Sequence, residues 1–68
     1  MASLIINGEN KTFDKVPSTM KALLEILKVD EATVVAEVNG QIIPRSSFSS
    51  TALQDGYQVE LVRFVGGG

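Results

Sequence analysis

Residues Thr33–Arg45 read TVVAEVNGQIIPR. Asn39-Gly40 stands between two apolar runs, and Asn-Gly in that setting is the strongest short-range signal for a β-hairpin. The run before it alternates: Val34, Ala36 and Val38 point one way, Val35 and Glu37 the other. Pro44 follows the second run and has no backbone N–H to give to a ladder. The second strand is therefore short or lies at a sheet edge. This hairpin makes the protein a sheet protein, and the remaining question is what covers the sheet.

Upstream, VPSTMKALLEILKVD supplies the cover. Met20, Leu23, Leu24 and Leu27 recur at helical spacing and form one apolar stripe. Ser18 or Thr19 is the expected N-cap. Lys28 is expected in the last turn, where a cation suits the helix dipole. The N-terminal SLIINGENKTFD reads as a further hairpin, with a turn through Asn7–Asn10, Gly8 supplying the permissive backbone, and a second strand at roughly 11–15. Downstream, SSFSSTAL is a polar connection with room for a helical turn. A turn at Asp55-Gly56 then leads into the longest strand, YQVELVRF. The order strand, strand, helix, strand, short strand, loop, strand gives a two-layer α+β domain: a mixed sheet of four to five strands with one helix packed across one face. The first and last strands are expected to meet in its middle.

Composition narrows the function. Sixty-eight residues make one small domain. The sequence has neither cysteine nor histidine, which removes the commonest zinc ligands, the commonest general base and the thiol nucleophile. Self-contained catalysis is not expected, nor a metal site. The net charge of −2 and six scattered basic residues give no basic footprint, so no nucleic-acid partner is expected. No stretch reads as a signal peptide or a membrane span, and the expected location is the cytoplasm.

A sheet covered by one helix keeps one face open. Alternation assigns Leu4, Ile6, Phe13, Leu23, Leu24, Leu27, Val34, Ala36, Val38, Val59 and Leu61 to the core. It assigns Ile5, Val35, Val62 and Phe64 to the open face, with Glu37 and Glu60 among them. Single exposed apolar residues are ordinary, but four on one face of so small a domain suggest a docking patch for a partner.

The sequence ends VRFVGGG. The expected division is a folded domain over 1–64 and a flexible glycine tail over 65–68. Glycine loses the most conformational freedom on ordering, and its lack of a side chain suits a narrow slot. Three such residues reach roughly 10 Å. At the tip stands the Gly68 carboxylate, ordinarily ionised above about pH 3.7. A carboxylate is a poor acyl donor until an outside agent such as ATP converts it to a mixed anhydride, and no phosphate-binding loop is present here. A frayed terminus or an expression scar would also account for three glycines taken alone.

LIINGE, VVAEVNGQIIPRS and LQDGYQVELVRFVGGG together resemble the β-grasp, or ubiquitin-like, superfamily, and more narrowly its sulfur carriers of thiamine biosynthesis. The resemblance covers essentially the whole chain. It implies that an adenylyltransferase of the ubiquitin-activating type uses ATP to adenylate Gly68. It implies that a sulfur relay including a cysteine desulfurase then leaves a thiocarboxylate there, and that thiazole synthase takes the sulfur. Gly67 would complete the family's Gly-Gly and Gly66 would extend the arm. Val62, Phe64, Ile5, Glu60 and Glu37 would dock the partners, and this chain would hold no cofactor. Arg45, in the IPR stretch, has no assigned role and reads as a surface charge. The small subunit of molybdopterin synthase shares these features and is the alternative carrier; copurification with a large synthase subunit would favour it. A β-grasp interaction domain or a protein modifier without sulfur transfer is the alternative of another class. The first predicts an expendable Gly67-Gly68, and the second an isopeptide adduct.

Overall fold

The computed structural model describes residues 1–64. The expected tail over 65–68, including Gly66, Gly67 and Gly68, lies outside the described residues. The strands are β1 (Ala2–Ile6), β2 (Glu9–Phe13), β3 (Val34–Val38), β4 (Gln41–Ile43) and β5 (Gln58–Arg63), with one helix, α1 (Met20–Leu27). They form a five-stranded sheet in the order β2-β1-β5-β3-β4. β1 and β5 run parallel at the centre, and every other pairing is antiparallel. The first and last strands therefore meet in the middle, as expected. Pro44 stops β4 at three residues, and β4 is an edge strand.

Two Asn-Gly turns build the two hairpins. Asn39 and Gly40 have φ of 50° and 88°, Asn7 and Gly8 φ of 51° and 81°. Positive φ at both central residues marks the type I′ turn, whose twist matches that of the flanking strands. The first turn is thus two residues long, and β2 begins at Glu9 rather than near Lys11.

Both turn asparagines also grip β5. The Leu61 N–H donates to Asn7 Oδ1 at 2.8 Å, and Asn7 Nδ2 donates to the Leu61 carbonyl at 3.2 Å. The Gln58 N–H donates to Asn39 Oδ1 at 2.9 Å, while the Asn39 N–H donates to the Gln58 carbonyl at 2.8 Å. Each side-chain amide thus acts as a stub of extra strand, so the two hairpins hold the central strand from opposite sides.

The helix is closed at both ends. Thr19 is the N-cap, its Oγ1 accepting from the Ala22 N–H at 3.1 Å. The Met20 and Lys21 N–H groups donate to the carbonyls of Thr51 and Phe48, and Leu23 N–H donates to that of Thr19. The three N–H groups of the first turn, on Met20, Lys21 and Ala22, are thus satisfied from outside the helix ladder, and the Leu23 bond is the first rung of that ladder. At the other end Val29 N–H donates to the Leu24 carbonyl and Lys28 N–H to that of Glu25, the bond pair of a Schellman motif. Lys28 occupies its left-handed position at φ 58°. It lies beyond the last turn, not in it, and its backbone geometry replaces the expected dipole role.

Leu4, Ile6, Met20, Leu23, Leu24, Val34, Ala36, Val38 and Val59 are buried between helix and sheet, joined by Phe48 and Leu53. Phe13, Leu27 and Leu61, expected in the core, are only partly buried and pack against its edge. Phe48 and Leu53 were not expected there. They come from the segment after a 3-10 turn at Arg45–Ser47. Backbone bonds from that segment to Ser18, Met20 and Lys21 seat it at the start of the helix, which turns both side chains inward.

Candidate functional site: the open face of the sheet

The face away from α1 is built by the same alternation that fills the core. In β3 the buried residues are Val34, Ala36 and Val38, so Val35 and Glu37 project outward. In β5 Val59 is buried and Leu61 half-buried, so Glu60 and Val62 project outward. The Phe64 N–H donates to the Thr33 carbonyl at 3.1 Å, carrying the β3–β5 pairing one residue past the strand. Phe64 is half-exposed there and, by parity, shares the side of Val62.

Register sets who faces whom. Val35 pairs with Val62, Glu37 with Glu60 across β5 and with Ile42 across β4. Ile5 pairs with Gln58 on one side and Asn10 on the other. The apolar pair and the acidic pair therefore form consecutive rows on one surface. The sequence-predicted residues Ile5, Val35, Glu37, Glu60 and Val62 all fall on this face, with Phe64 at its end. Ile5 and Glu37 are half-buried, and the others are exposed. Among the described residues, six large apolar side chains stay exposed, and four of them, Val35, Ile42, Val62 and Phe64, lie here. That clustering is what separates a docking patch from ordinary surface.

Ile42 was missed in the sequence, although a two-residue turn at Asn39-Gly40 fixes its register opposite Glu37. It is 68% exposed, the most open of the four.

The electrostatics of this face are one-sided. Glu37 and Glu60 stand directly opposite, where side chains are roughly 5 Å apart at Cβ and like charges weaken the sheet. No basic strand residue shares their face: Lys11 and Arg63 pair with Leu4 and Val34 and so belong to the helix side, and the other four basic residues lie outside the strands. The salt bridge found among the described residues is Lys11–Glu9, at 3.1 Å on the far edge. Arg45 opens the 3-10 turn after Pro44 and is exposed. No group of three or more potential metal-ligating side chains converges among the described residues, and no described helix is long and apolar enough to cross a membrane.

Comparison with known proteins places this geometry in context. The model of the ThiS family matches residues 4–68. A thiazole synthase from Paramagnetospirillum magneticum is 45% identical over 65 residues, which are 96% of this chain but 20% of that protein. The chain thus spans one fifth of the length of that relative. The Bacillus subtilis sulfur carrier protein ThiS is 32% identical over 96% of this chain and 98% of its own length. The crystal structure of the thiamine biosynthesis protein ThiS from Geobacter metallireducens superposes with a TM-score of 0.81 at 40% identity, covering 97% of this chain and 99% of that one. The β-grasp fold and the sulfur-carrier resemblance read from the sequence agree with these matches.

Proposed function

This chain belongs to the ThiS family, the sulfur carriers of thiamine biosynthesis, and we propose that it carries sulfur as a thiocarboxylate on Gly68. The observation behind this is that the family match spans residues 4–68, from the first strand to the final glycines. The chain is a cosubstrate rather than a catalyst. With no cysteine and no histidine it brings neither thiol nor imidazole to the chemistry, so activation falls to partners.

A carboxylate oxygen of Gly68 attacks the α-phosphorus of ATP on an adenylyltransferase of the ubiquitin-activating type, and pyrophosphate leaves. The terminal sulfur of a persulfide, from a relay fed by a cysteine desulfurase, attacks the acyl carbon and AMP leaves; a relay thiol then cleaves the S–S bond of the resulting acyl disulfide, forming a disulfide in the relay and releasing the thiocarboxylate. The thiocarboxylate then delivers its sulfur to thiazole synthase. Support for that last partner comes from the thiazole synthase relative, which contains a segment like this chain within its own length. In this scheme the open sheet face is the handle. Covalent geometry limits the distance from Phe64 to Gly68 to roughly 14 Å, so a partner gripping the face has the carboxylate close to its own active site.

The test is intact mass spectrometry after incubation with ATP, the activating enzyme and a sulfur source. The expected result is a mass increase equal to one oxygen replaced by sulfur, localised to Gly68. An unchanged mass with demonstrably active partners would overturn the proposal.

A further inference from the structure

Two carboxylates face each other on the open sheet face, beside a row of exposed apolar side chains, with no basic strand residue on that face to answer them. A fold gains nothing from this arrangement: opposed like charges weaken the strand pairing they sit on. Glu37 is half-buried and, among the described residues, has no salt-bridge partner. Val35 and Val62 form the adjacent row, Phe64 lies beyond them, and Ile42 flanks Glu37 on the edge strand. A partner that covers these apolar residues must also cover both carboxylates. Unless it supplies a positive charge, that burial leaves two unpaired anions and costs more than the apolar contact returns.

We propose that the open face docks the enzyme that activates Gly68 through a surface of complementary pattern: an apolar patch beside one arginine, whose guanidinium seats between Glu37 and Glu60. Arginine suits this seat better than lysine because its planar fork can donate to two carboxylates at once and is the less strongly hydrated cation. Closure over the apolar row then strengthens the ion contacts by excluding water. The acidic pair is the selective element, since a surface lacking the cation would meet two unpaired anions. This inference rests on the carrier reading above.

The experiment measures adenylation of the whole chain by its adenylyltransferase as ATP–pyrophosphate exchange, alongside thermal unfolding. Glu60→Gln should raise KM for the carrier by about tenfold or more, the scale for losing one partner of a covered charge pair. Its unfolding midpoint should hold or rise, because the like-charge opposition is relieved. Glu37→Lys should raise KM further, since it places a cation opposite Glu60 and fills the seat from within. Glu25→Gln, on the exposed helix side, removes the same single charge and should leave KM within about twofold, which separates seating from long-range steering. The inference is overturned if Glu60→Gln and Glu37→Lys match wild type, or if Glu25→Gln weakens the carrier as much as they do. Absence of exchange with the wild-type chain would instead overturn the carrier reading itself.

Discussion

The two faces of this sheet are written by the same strands and put to opposite uses. Along β3 and β5 the residues turned to the helix include Val34, Ala36, Val38 and Val59, all buried, with Leu61 half-buried and Arg63 exposed at the strand end. Their immediate neighbours Val35, Glu37, Glu60 and Val62 face outward, two of them apolar and exposed, two of them acidic and opposed. One face follows the rules of folding, its apolar side chains covered and its charges, Lys11 and Arg63, kept to the margins. The other breaks two of those rules, leaving apolar surface uncovered and setting like charges together. Such local violations in an otherwise consistent fold mark where function outweighs stability.

Substitutions on the two sides should separate accordingly. Phe48→Ala, which empties a fully buried position at the start of the helix, should cost about 3–5 kcal/mol in chemical denaturation, enough to unfold much of the protein. A loss below about 1 kcal/mol would mean that the 48–53 segment is dispensable to the core. Asn7→Ala removes two hydrogen bonds to Leu61 and leaves a side chain at positive φ, for a loss of about 2–3 kcal/mol. The same change at Asn39, with one side-chain bond to β5, should cost about 1–2 kcal/mol. If the two were equal, the turn geometry alone would carry the effect and the grip on β5 nothing. On the open face Val62→Ala should change stability by no more than about 0.5 kcal/mol, as for ordinary surface positions. Lys28→Gly should raise stability by about 1 kcal/mol, because glycine holds the left-handed cap without strain. No gain there would place the cost of the cap elsewhere.

Much of this division could be read from the sequence. Asn39-Gly40 gives the hairpin, strand alternation sorts the two faces, and the Met20–Leu27 stripe gives the cover. Local chemistry decides each of these. What could not be read depends on contacts distant in sequence. Phe48 and Leu53 sit in a serine-rich stretch with no periodicity, and only docking against Ser18–Lys21 turns them inward. The asparagine side chains announce turns, and nothing local announces that they also bind Gln58 and Leu61. Lys28 adopts a conformation that sequence rules reserve for glycine or asparagine. The open face was legible except for Ile42, whose place follows only once the turn is known to be two residues long.

In the proposed scheme one face folds the protein and the other presents Gly68 to its partners. Phe64→Asp tests this most directly, with thiocarboxylate yield by intact mass and the unfolding midpoint measured on the same sample. Phe64 is half-exposed at the end of the open face, so stability should shift by no more than about 1 kcal/mol. The yield at limiting activating enzyme should fall severalfold and recover as that enzyme is raised. A yield that stays at the wild-type level, or falls only in step with the loss of folded protein, would contradict the account.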